Sequence, residues 1–172
     1  MTTKYFVDDS GRFLGAFGDG SMPDAGAIEV PSAPDDACQI WQGGSWIWPL
    51  EILRARKTRA LQERYAAALA AGMLYAGRRL QIGEPDQQNI ATMGQEARWV
   101  LASNAPWPAD FAWRMADNSF LPLADAEAMI ALGEAAKAEV YRLRQVKWMH
   151  ADAIAVATSV AAIESHDIDN GW

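Results

Sequence analysis

Hydrophobic positions come in short alternating runs over the first 49 residues, then recur at three- and four-residue steps through most of the remaining chain. Alternation places successive side chains on opposite faces of a strand, whereas steps of three and four build one face of a helix. Tyr5-Phe6-Val7 and residues 12–17 flank Asp8-Asp9-Ser10-Gly11, a run of turn formers, so the pattern predicts a β-hairpin. Residues 18–23, which include Asp19, predict a loop, and residues 27–30 a short extended segment stopped by Pro31 and Pro34. Residues 38–41 and 45–48 predict a second hairpin across Gln42-Gly43-Gly44. That hairpin places Trp46 and Trp48 on one face and makes Cys38 a buried strand residue.

From Leu50 the period is helical. Leu50, Leu53, Leu61, Tyr65, Ala68 and Leu69 form a stripe that Lys57 interrupts, and Gly72 is a stop signal. Residues 72–82 predict a hairpin with its turn at Ala76-Gly77. Pro85 suits the first turn of a helix carrying Ile90, Met93, Ala97, Val100 and Leu101, ended by residues 104–108. A further hairpin is expected over residues 111–123, about a turn at Ala116-Asp117-Asn118. A helix opened by Ala124 or Asp125 then carries Met129, Leu132, Ala136, Val140 and Leu143 as far as residue 149. A last helix carries Ile154, Ala157, Val160 and Ile163, and residues 167–172 are expected to be non-helical.

This grammar predicts an α+β fold of short antiparallel β-hairpins packed against several α-helices. It divides the chain into a β-rich N-terminal segment (1–49), a connecting amphipathic helix (50–71) and an α+β domain (72–172). The hairpins at 72–82 and 111–123 are expected in one sheet, covered by the helices at 86–103 and 124–149.

At 172 residues, 51% hydrophobic and 22% charged, the chain has ample material for a packed core. Its net charge of −7 argues against nucleic-acid binding, which needs a basic face. One cysteine, Cys38, leaves no internal disulfide framework. No signal-peptide pattern opens the chain, and its longest alanine-rich run is far below the ~20 apolar residues that span a bilayer, so no membrane insertion is expected.

Catalytic and metal-binding patterns are sparse. His150 and His166 stand sixteen positions apart, and His150 and Asp152 would point to different helix faces; surface histidines are expected, with no metal and no cofactor. No nucleophile elbow or glycine-rich phosphate loop is present, so no catalytic residue is assigned. Two features remain. Trp41, Trp46 and Trp48 crowd one hairpin, and rings of that size are covered by a core, a partner or a sugar. Residues 51–64 carry five cations, Arg54, Arg56 and Lys57 among them, against two carboxylates, whereas residues 1–49 have a net charge of −5. The basic stretch reads either as a solvated helix face or as a patch that docks on an acidic surface, its own N-terminal half or a partner. The candidate partner-binding residues are therefore Trp41, Trp46, Trp48, Arg54, Arg56 and Lys57.

Two resemblances extend this reading. The hairpin LYAGRRLQ at 74–81, Gln88-Asn89-Ile90, WRMADN at 113–118, LPLA at 121–124, MIALG at 129–133 and the closing IDNGW at 168–172 resemble, over residues 72–172, a small uncharacterised domain common in tailed-phage tail proteins. The N-terminal half resembles the start of phage tail-fibre assembly proteins. It has the aspartate-glycine hairpin at 7–11, AIEVP at 27–31, a W-x-G-x-x-W pattern at Trp41, Gly43 and Trp46, and then a charged helix over 51–64. Residues 72–172 depart from the C-terminal part of those chaperones. The resemblances imply a non-catalytic tail accessory protein that binds a tail fibre or tail-tip protein, in several copies or as an oligomer. Its place would be the virion tail, the host cytoplasm during phage assembly, or both. A dedicated chaperone absent from the virion and a carbohydrate-binding module using the tryptophan hairpin are the alternatives.

Overall fold

The computed structural model describes residues 2–18 and 20–172, so Asp19 of the expected 18–23 loop lies outside the described residues. Five short strands come first: β1 (Lys4–Val7), β2 (Phe13–Phe17), β3 (Ile28–Val30), β4 (Ile40–Gln42) and β5 (Ser45–Ile47). They are followed by α1 (Leu50–Ala71), β6 (Met73–Tyr75), β7 (Arg78–Leu80) and α2 (Glu84–Ser103). Strands β8 (Ala112–Arg114) and β9 (Phe120–Pro122) lead to α3 (Ala126–Val156) and α4 (Val160–Ser165). The class is α+β, with antiparallel strand pairs and helices, as the hydrophobic pattern predicts. The chain forms two compact units, one of Met1–Arg59 with Ala153–His166, the other of Ala60–Asp152 with Asp167–Trp172.

In the first unit, Asp8 closes the opening hairpin. Its Oδ1 accepts from Ser10 N at 2.9 Å, Ser10 Oγ at 2.6 Å and Arg12 N at 2.9 Å, the geometry of an Asx turn. β1 pairs antiparallel with β2 on one side and β3 on the other, so the extended segment at 28–30 completes a three-stranded sheet of order β2-β1-β3. Phe6, Val7 and Val30 are its buried side chains. The turn is fastened to the next hairpin at Gly11, whose carbonyl accepts from Trp41 N at 2.8 Å. Gly11 has φ +81°, and a Cβ there would run into the Trp41 carbonyl oxygen, so both conformation and space require glycine.

In the second unit, α1 ends at Gly72, which has φ +69° and lies against the Leu80 carbonyl closely enough to exclude a Cβ. That contact sets β7 against the end of the helix. Leu80, Ile82, Ile90, Val100, Met115, Leu123, Met129 and Leu132 belong to one core cluster, so both hairpins and the inner faces of α2 and α3 share the same interior. α2 begins with Pro85 in its first turn and ends at Asn104, in the left-handed region at φ +54°. α3 begins where Asp125 Oδ1 accepts from Ala128 N at 2.7 Å.

Several expectations are corrected. The hairpins at 72–82 and 111–123 form separate two-stranded sheets, β6-β7 and β8-β9. A single backbone bond, Ala116 N to Arg79 O at 2.9 Å, and the Arg78 guanidinium, which donates to Phe120 O at 2.6 Å, bridge them in place of a shared ladder. The helix expected to close at 149 runs on to Val156, because residues 149–156 contain no glycine or proline to stop it. The last helix is correspondingly short, opened by Ser159, whose Oγ accepts from Ala162 N. Within α1 only Leu61 and Ala68 are buried; the rest of the expected stripe is half-buried.

Candidate partner-binding surfaces

The tryptophan hairpin is held mainly by its own neighbours. Trp41 and Trp46 face each other across β4 and β5, edge to face at 5.4 Å. Trp46 also meets Phe13 edge-on at 5.9 Å and donates its Nε1–H to Ser32 O at 3.1 Å. This satisfies the one polar handle of the indole. Trp48 lies just beyond β5, and the Arg56 guanidinium sits over its ring at 4.0 Å. All three rings are half-buried.

The basic stretch divides residue by residue. Arg56 Nη2 donates to Asp36 Oδ2 at 2.8 Å while it covers Trp48, so one cation joins the acidic loop to the indole. The Arg56 hydrogen bond, helped by the Cys38 N–H, holds the Asp36 carboxyl below the usual aspartate range; Asp36 in turn raises Arg56. Of the two readings left open, docking on the chain's own acidic N-terminal half therefore holds for Arg56. Arg54 turns toward α3 and donates through Nη2 to Ala157 O at 2.5 Å, a cation at a helix C-terminus; its Nε is buried without a partner. Lys57 is half-buried on α1. Cys38 is exposed, not buried: Asp36 Oδ1 accepts from its N–H at 2.9 Å, and this turn delays the strand until Ile40.

The second unit carries features that the sequence reading missed. A groove of about 400 Å³ runs between α2 and α3. Ile90 and Gly94 on α2 and Gly133, Ala136 and Val140 on α3 form its apolar floor. Arg98, Glu134, Lys137, Tyr141 and Arg144 stand along its rim, and Arg98 reaches Glu134 across it at 2.5 Å. Tyr141 and Trp148 are 54% and 52% exposed, with rings edge to face at 6.4 Å, and Trp99 on α2 is 58% exposed. The signal was present in the spacing: Lys137, Tyr141, Arg144 and Trp148 follow steps of four, three and four, so they share one face of α3.

His150, expected at the surface, is 2% exposed. Residues 167–172 fold over it: its Nε2 lies 2.9 Å from Asn170 O, and its ring stacks on Trp172 at 6.0 Å. A carbonyl only accepts, so Nε2 carries the proton. Arg142 donates to Gly171 O at 2.9 Å, and Arg64 pairs with Asp169 at 3.0 Å. The helical pattern gave no sign of this because the covering residues, DIDNGW, are non-helical and follow no hydrophobic period. Among the described residues no group of three or more His, Cys, Asp or Glu is placed to hold a metal, and no helix is long and apolar enough to cross a membrane.

A family model described as a domain of unknown function (DUF4376) matches residues 52–169, more than half of the chain, and the chain belongs to that family. No curated protein and no solved structure matches it.

Proposed function

We propose that this DUF4376 protein is a non-catalytic bacteriophage tail accessory protein that binds a tail-fibre or tail-tip protein, as a virion component, an assembly factor or both. The observation that carries the binding role is the exposure of Trp99, Tyr141 and Trp148, each more than half open to solvent on the helices of the second unit. Rings of this size gain little for folding while they stay in water, and Trp and Tyr are favoured anchors where one chain meets another. The exposed Arg56 guanidinium over Trp48 offers a smaller contact from the first unit, beside the hairpin that Trp41 and Trp46 hold together, while Arg54 and Lys57 lie half-buried on α1. The tail context comes from the resemblance of the N-terminal half to tail-fibre assembly proteins and of residues 72–172 to a domain common in tail proteins.

Co-expression with the tail-fibre and tail-tip genes of the encoding phage or prophage tests the reading. Co-purification, or a gain in fibre solubility, is the expected result; neither effect with either partner overturns it. Mass spectrometry of purified virions then separates the two roles. Stoichiometric presence makes the protein a tail component, and absence with presence in the lysate makes it a chaperone that leaves.

A further inference from the structure

We infer that the α2–α3 groove of the second unit is the seat of an acidic, amphipathic helical segment of a partner protein, anchored by apolar side chains and oriented by Lys137 and Arg144. The inference rests on the proposed reading only in taking the chain to be a binding protein; the partner's phage origin plays no part in it.

Shape is the first argument. Gly94 and Gly133 bring the floor close to the backbone, and a Cβ on Gly133 would meet Ile90 Cγ2 at 3.7 Å, so α2 and α3 come into apolar contact along the floor. A volume of about 400 Å³ holds a few side chains, not a whole domain. The second is length. The face that borders the groove continues through Tyr141 and Arg144 to Trp148, and from Lys137 to Trp148 it extends about 16 Å at 1.5 Å per residue. A helix of three turns, with anchors at i, i+4, i+7 and i+11, matches that length.

Charge supplies the third. Glu134 is the one carboxylate of the lining and is engaged by Arg98, which leaves Lys137 and Arg144 without an ion pair among the described residues. Two uncompensated cations on an apolar groove, in a chain of net charge −7, select an acidic occupant. Symmetric pairing of two copies through this groove would set the same cations against each other. Nucleic acid would meet an apolar floor and an acidic chain.

The test is fluorescence anisotropy on the full chain with a labelled helix-forming peptide of about 15 residues, leucine at the four anchor positions and glutamate at the flanks. Controls are the same peptide with lysine for glutamate and a scramble of the acidic peptide. Saturable binding of the acidic peptide alone is expected, weakening as salt rises. Lys137→Glu with Arg144→Glu, both at exposed positions, should weaken it by about tenfold or more while the thermal unfolding midpoint stays unchanged. No binding by the acidic peptide, equal binding of the basic peptide or the scramble, or indifference to the charge reversal overturns the inference. So does a concentration-dependent dimer that the peptide dissociates, which would assign the groove to a second copy. Peptide binding without any fibre or tail-tip association overturns the phage reading alone; fibre association that survives the charge reversal, without peptide binding, overturns the groove alone.

Discussion

Gly11 joins two hairpins of the first unit because it is the one residue type that fits both its φ of +81° and the Trp41 carbonyl against it. Gly11→Ala is therefore expected to destabilise the protein by about 1–3 kcal/mol, read as a lower urea midpoint at unchanged slope. Gly18→Ala, where a Cβ meets nothing within 4 Å, is the control. The aspartates of the turns give a pH prediction. Ser10 and the Arg12 N–H hold Asp8 low, the Ser119 hydroxyl and N–H hold Asp117 low, and Arg56 does so for Asp36. A folded-state pKa below the unfolded one stabilises above the unfolded value, near 4, and that contribution is lost as pH falls through the folded value. Carboxyl-carbon NMR should show all three titrating below ordinary aspartate, with Arg56→Ala moving Asp36 upward and leaving Asp8 in place. An unmoved Asp36 would show that the pair does not form in solution. The Asp-x-Ser turns at 8–10 and 117–119 were legible because their hydrogen bonds are local. The Arg56–Asp36–Trp48 cluster was legible only as a charge contrast, since nothing in a sequence states which of five cations will reach an aspartate twenty positions away.

At the scale of elements, helix and hairpin positions followed from period and turn chemistry, and α1 occupies the range expected of it. Pairing between elements was less legible. Three-residue strands carry too little pattern to say whether two hairpins share a ladder, and here one backbone bond and Arg78 join them. The covering of His150 by residues 167–172 was invisible for a related reason: it uses backbone carbonyls of Asn170 and Gly171, which every residue type offers. Trp172 stacks on His150, meets Tyr65 at 6.2 Å and lies under Arg64 at 5.5 Å, so Trp172→Ala removes the centre of this cover. A loss of about 2 kcal/mol is expected by urea unfolding, as befits a half-buried ring, with faster amide exchange in 167–171 than in α2. Unchanged exchange there would mean that the segment is held without the ring, by His150, Arg64 and Arg142.

For the whole molecule, the groove and the exposed aromatic stripe escaped a reading that looked for clustered tryptophans. The stripe spreads over twelve residues of a long helix, and exposure is a property of the fold, not of the residue. The division into units also crosses the sequence: residues 153–166 belong with 1–59, and Arg54 finds its acceptor at Ala157. A 1–59 fragment should therefore lack native structure by amide NMR, and addition of a peptide covering 153–166 should restore dispersion. A dispersed spectrum from the fragment alone would show that the C-terminal piece is dispensable.

That shared ownership sets an order of events on the ribosome. Residues 1–59 are made early, yet the whole of 60–152 must be polymerised before the rest of their unit is made. At roughly 5–20 residues per second the wait is about 5–20 s, far longer than the microseconds in which a hairpin forms. For that interval residues 1–59, Arg54 among them, wait without 153–166, so slower translation is expected to lengthen their exposure to nascent-chain chaperones.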